Sequence, residues 1–220
     1  MKTLVAAVGA VLCLAASVRA ADVDTLITQL KDKDPDARRA AAKGLADAGA
    51  DAKPAVAALT HALKDADTFV RRFSAQALGS IGPDAKEATP VLVSILKTGK
   101  DNKEVQEAAA DALGKLGAGS VDALAAVVKD GGRDQEIRQT AIAALGGLGA
   151  DAKPAVPTLM DALKDDAVRT DAAVALGNIG PAAGDKAVTA LQDAADGKKV
   201  KKDKAFKQAV TDAIKKIQAK

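Results

Sequence analysis

GADAKPAV occupies Gly49–Val56 and returns unchanged at Gly149–Val156, 100 positions later. Eight matching residues do not recur by chance in a chain of 220. Either the stretch binds one thing twice, or the chain is assembled from a repeated unit. A unit about a third of that interval long predicts further copies in between. Ala77-Leu78-Gly79-Ser80-Ile81-Gly82 marks them. It returns at 112–117 (ALGKLG), 144–149 (ALGGLG) and 175–180 (ALGNIG). A looser copy, GLADAG, stands at 44–49, and Ala213-Ile214-Lys215 follows without the glycines. The aligned positions Leu45, Leu78, Leu113, Leu145, Leu176 and Ile214 lie 33, 35, 32, 31 and 38 apart. Six units result, at about 21–53, 54–89, 90–119, 120–153, 154–184 and 185–220. The two octapeptides are the same joint, three units apart.

Each unit reads as two helices. In the second, Pro54 opens the first helix, where its missing N–H is harmless. Val56, Leu59 and Leu63 follow at helical spacing. Lys64–Asp67 is a short polar turn. Val70, Ser74, Ala77, Leu78 and Ile81 form one stripe of a second helix. Gly82 is expected to end it as a left-handed cap, with Pro83 forbidding continuation. Gly79 sits inside that helix at a cost of up to about 1 kcal/mol relative to Ala. Its recurrence predicts a place where neighbouring helices approach closely. The composition agrees: with no Trp, no Tyr and three Phe, the core must be Ala, Leu, Val and Ile, which suits close-packed helices better than a sheet. The expected fold is all-α, an α-solenoid of about six helical hairpins.

Residues 1–20 are set apart from this pattern. Lys2, the apolar run Leu4–Ala16 and the small-residue ending Val18-Arg19-Ala20 read as a secretory signal peptide, cut after Ala20. The run falls short of the ~18–20 residues of a spanning helix. The expected location of the 21–220 solenoid is therefore secreted or periplasmic. The one Cys, Cys13, leaves with the signal.

Pro-x-Val-x-x-Leu, then Leu-Lys-Asp, Val-Arg and Ala-Leu-Gly-x-Ile-Gly together resemble the HEAT repeat family, and within it the short Ala-rich subtype of phycobilisome lyases. The resemblance implies a superhelix with first helices outside and second helices on the concave side. It also implies a ladder between repeats, made by an Asp in the inter-helix turn and an Arg early in the second helix. Asp32 with Arg38 and Asp65 with Arg71 match this, both six apart. Asp130 with Arg138 is stretched by two glycines, and Asp165 with Arg169 is shortened. Gln106 and Lys207 stand in the Arg place of units three and six.

Chemistry-bearing residues are few. His61, the only His, has no nucleophile spaced beside it, and no His/Cys pair has zinc-ligand spacing. Asp32-x-Asp34-x-Asp36 lacks the Gly and Glu of a calcium loop. The abundant turn Asp residues (Asp65, Asp67, Asp165 and Asp166 among them) suit turn and N-cap roles. The glycine phrases end helices, whereas a phosphate cradle opens one. No catalytic residue, metal or cofactor is expected.

The surfaces carry the expectation of function. On the predicted concave side lie Arg39 and Lys43; Arg72, Phe73 and Gln76; Glu107, Asp111 and Lys115; then Gln139, Thr170, Asp171 and Asn178. Two readings of Phe73 stand: an exposed anchor for another protein, or a filler of the gap beside Ser74. The second candidate is Lys198, Lys199, Lys201, Lys202 and Lys204, an inter-helix loop or a contact for an anionic envelope surface. Residues 198–220 carry nine Lys against two Asp, whereas 21–197 carry 21 basic against 27 acidic residues. Nucleic acid does not fit an exported chain with an acidic body and no interleaved aromatics. The sequence thus points to an exported, non-catalytic scaffold that binds another protein. The alternatives are a bilin-lyase-like enzyme or subunit, and an architectural envelope protein.

Overall fold

In a computed structural model, residues 20–197, 200 and 202–219 are described. The segment expected to be a signal peptide, apart from Ala20, lies outside them. Among the described residues there are twelve α-helices and no strand. They pair as α1 (Ala20–Gln29) with α2 (Pro35–Ala48), α3 (Val56–Ala62) with α4 (Thr68–Ile81), and α5 (Thr89–Thr98) with α6 (Lys103–Leu116). Next come α7 (Val121–Lys129) with α8 (Gln135–Gly147), α9 (Val156–Ala162) with α10 (Arg169–Ile179), and α11 (Gly184–Asp196) with α12 (Lys204–Ile217). The chain is an α-solenoid of stacked hairpins.

The octapeptide differs from its expected form. Gly49–Ala55 is a 3₁₀ segment with Pro54 inside it, and α3 begins only at Val56. Gly149–Ala155 repeats this before α9. A 3₁₀ turn holds three residues, so side chains three apart share a side. Ala52 and Ala55 are three apart and both fully buried. The phrase is therefore a packed corner between repeats. Gly82 does stop α4, but with φ 76° and ψ −144°. It is not in the left-handed helical region. It lies near the extended positive-φ region, which is essentially glycine's own.

The second helices set the curvature. α2, α4, α6, α8, α10 and α12 pack on one another far more extensively than the first helices do. Small residues make this approach possible. A Cβ on Gly79 would lie 3.1 Å from the Ala112 Cα, and one on Gly114 would lie 2.7 Å from the Ala144 Cβ. The pattern continues from Gly146 to Ala175 at 3.1 Å and from Gly177 to Ala213 at 2.8 Å. The phrases at 112–114, 144–146 and 175–177 thus receive the previous repeat on their Ala and the next on their Gly, and the Leu of all four phrases is fully buried (Leu78, Leu113, Leu145, Leu176). The more tightly spaced layer of a curved stack lies on the inside, so the second helices line the concave side.

Candidate functional site

The turns inside the repeats are built by paired acids. In the second repeat, Asp65 accepts a hydrogen bond from the Asp67 N–H at 2.8 Å, which closes the turn. Asp67 accepts from the Phe69 and Val70 N–H groups and caps α4. Asp32 and Asp34 repeat the arrangement ahead of α2. Asp165 closes its turn through the Ala167 N–H, and Asp203 caps α12 through the Phe206 N–H.

Arginines then tie each turn to the next repeat. Arg38 donates to the Asp32 and Lys33 carbonyls of its own turn and forks onto both Asp65 oxygens, at 2.8 and 2.9 Å. Arg71 likewise donates to the Asp65 and Ala66 carbonyls of its own turn, and its Nε and Nη2 both converge on Asp101 Oδ1, at 2.8 and 2.6 Å. Arg138 joins the Val128 carbonyl to Asp165, and Arg169 reaches Asp203, both at 2.8 Å from the carboxylate. The rungs run from the Arg of one repeat to the Asp of the following one. The third repeat departs. Gln106 donates to the Asp101 carbonyl of its own turn, and its Oε1 accepts from Arg133 of the following repeat at 2.9 Å. Arg133 also pairs with Asp130 at 3.0 Å. The missing rung is therefore filled from the opposite direction, by a residue the repeat alignment did not single out. Lys207 is exposed on α12.

These contacts shift the acids. The guanidinium of Arg39, with the Val70 and Phe69 N–H groups, brings Asp67 down to about 2. Burial pushes Asp65 up, but Arg38 and the Asp67 N–H outweigh it, and the group ends below its ordinary value. Asp165 is lowered by the Ala167 N–H and then by Arg138.

On the concave side the expected residues divide. Across the later repeats they satisfy one another: Lys115 bonds Asp111 at 2.8 Å, Gln139 donates to Asp171 at 3.0 Å, and Lys216 donates to Asn178 at 2.9 Å. Glu107 is half-buried, and burial raises its carboxyl. In the first two repeats, Lys43 and Gln76 are exposed, and Arg39 is fixed by Asp36 and Asp67. Phe73 is half-buried and packs on the core while its ring carries the Arg72 guanidinium at 4.8 Å. The exposed aromatic is Phe69, 48% accessible. Its ring lies 5.2 Å from the Arg39 guanidinium, 5.3 Å from that of Arg72 and 6.4 Å from Phe73. Thr68, Phe69, Arg72, Asn102 and Glu104 line an open pocket there. Val174, 45% accessible on α10, is a second apolar residue the sequence reading omitted.

Of the Lys-rich segment, Lys198, Lys199 and Lys201 lie outside the described residues. Lys202 and Lys204 are exposed at the start of α12. His61 is exposed on α3. Among the described residues no helix is long and apolar enough to cross a membrane.

The sequence profile described as HEAT repeats matches residues 23–103, 56–132 and 121–215. No curated protein matches the chain in sequence. Among solved structures, an engineered protein has a TM-score of 0.63 at 26% identity, over 89% of this chain and 96% of its own. A designed armadillo repeat protein, in complex with peptide (KR)4, has a TM-score of 0.64 at 17% identity, over 89% of this chain and 99% of its own. The CpcE–CpcF complex of phycocyanin lyase from Nostoc sp. PCC7120 has a TM-score of 0.52 at 24% identity, over 90% and 83%.

Proposed function

The chain belongs to the HEAT repeat family, and we propose that it is an exported, non-catalytic scaffold that holds another protein along its concave face. The observation that carries this reading is the stripe Phe69, Arg72, Phe73 and Gln76 on α4. It sets an exposed aromatic and a guanidinium side by side on the inner surface. Aromatic and Arg side chains that are already held in place lose little freedom on binding, which is why such pairs anchor interfaces. The designed armadillo relative is solved with a peptide, a precedent for peptide binding by a repeat stack of this fold. The lyase relative supports the fold alone.

Export is part of the same proposal. Mass analysis of the protein recovered from its native compartment should give a chain beginning at Ala21, and a chain retaining Met1 rejects it. Binding is tested with a photo-crosslinking side chain placed at Gln76 and, as a control, at His61 on the first-helix side. Capture from Gln76 and none from His61 is expected. Arg72→Glu with Phe69→Ala should abolish that capture. Equal capture from both positions refutes the concave assignment.

A second reading draws on Lys202 and Lys204, exposed beside α12, whose surface adds Lys207, Lys215 and Lys216. Five cations on one end suit an anionic envelope surface. Sedimentation with vesicles of anionic lipid that is lost at high salt, and on neutralising Lys202 and Lys204, is the expected result. Sedimentation indifferent to both rejects it.

A further inference from the structure

Seven arginines lie among the described residues, and six have a carboxylate within ion-pair distance. Arg38 has Asp65, Arg39 has Asp36 and Asp67, Arg71 has Asp101, Arg133 has Asp130, Arg138 has Asp165, and Arg169 has Asp166 and Asp203. Arg72 has none. Its Nε is enclosed and has no hydrogen-bond partner. What holds it is two aromatic faces, Phe69 at 5.3 Å and Phe73 at 4.8 Å. The other arginines all reach a carboxylate, Arg169 included although its Nε is equally enclosed and unpartnered, so a clamped and partly dehydrated Arg that reaches none is a site with its acceptor missing. Stacking on rings fixes the guanidinium plane, and with Nε enclosed the two Nη groups remain for bidentate contact, the geometry in which Arg discriminates best.

We infer that Arg72 is the receptor for a carboxylate on the bound partner, so that the concave face selects an acidic segment with an apolar residue beside the acid to cover Phe69. This rests on the concave-binding reading and gives that partner its chemistry. Lys43, exposed on the neighbouring α2 and without an ion pair among the described residues, adds a second positive charge on the same side. Glu104 lines the same pocket and makes no ion pair with Arg72. It repels an incoming acid, which gives the proposal a sign that a purely structural Arg72 does not share.

The test uses the full chain and an array of random octapeptides, followed by titration of two synthetic ones, alternating Asp-Leu and alternating Lys-Leu. Wild-type protein should enrich peptides with Asp or Glu next to an apolar residue and bind the Asp-Leu peptide over the Lys-Leu one. Arg72→Gln should weaken the Asp-Leu peptide by about tenfold, the scale of one charge-assisted contact, and Arg72→Lys should recover part of that. Glu104→Gln should strengthen it several-fold. Unchanged thermal melting of each variant shows that the fold is intact. Peptides bound without acidic preference, or with a preference that Arg72→Gln leaves alone, overturn this inference while the concave reading stands. Binding of no peptide in any arm overturns both.

Discussion

A Cβ added at Gly114 would stand 2.7 Å from the Ala144 Cβ and 3.0 Å from its Cα. Backbone cannot yield as a flexible side chain does, so Gly114→Ala should destabilise the protein by about 1–3 kcal/mol, the usual cost of overpacking. Gly147, also helical, meets nothing within 4 Å, so Gly147→Ala should gain up to about 1 kcal/mol of helix propensity. Urea unfolding of the two variants checks the opposite signs. The recurrence of Gly79 in the sequence announced this contact, because a helix-interior glycine needs a packing reason. Phe69 was equally legible and went unread. Its counterparts by alignment are Asp36, Glu104, Glu136, Ala167 and Ala205, three acids suited to a helix N-terminus and two small residues. A Phe in that column is the anomaly, but a core stripe traced from Val70 onward begins one residue too late to see it.

At the level of elements, the ladder ties the turns that follow the short helices α3 and α9 to the preceding repeat, through Asp65 and Asp165. Arg138 is nearly enclosed and joins a carbonyl of its own repeat to Asp165 of the next. Arg138→Ala leaves both acceptors short and should cost about 2 kcal/mol, read as a lower urea midpoint. Acid acts on the same contacts. Asp67 sits at about 2 against an ordinary 3.8, and Asp65, Asp165 and Asp203 are also lowered. A lowered native value means the unfolded chain binds protons first. The stability these groups add is therefore complete above 3.8 and drains away as the pH falls toward 2. Thermal melting should be flat from pH 7 to 5 and drop steeply below 4, and Asp67→Asn should blunt that drop. Six-residue spacing made Arg38 and Arg71 readable as rung residues. Arg133 was not, because Gly131-Gly132 moves it out of the column and its service to Gln106 runs backward across the repeat boundary.

Across the whole molecule, each hairpin touches only its neighbours, so the shape follows from the number of repeats. A compact chain of this length would have a radius of gyration of roughly 17 Å. Small-angle scattering should give a clearly larger value, and one at or below that figure contradicts a stacked array. This level was the most legible in the sequence, since phase agreement over six units leaves few architectures. The working surface was less so: periodicity says which side faces inward, but not which side chains are already spoken for by neighbours. The backward rung has a consequence here. An amide does not titrate, so the Gln106–Arg133 bond survives conditions that protonate every carboxylate beside it. Acid should therefore loosen the array from its two ends and leave α6 and α8 as the last fastened pair, the place from which neutralisation can rebuild the rest.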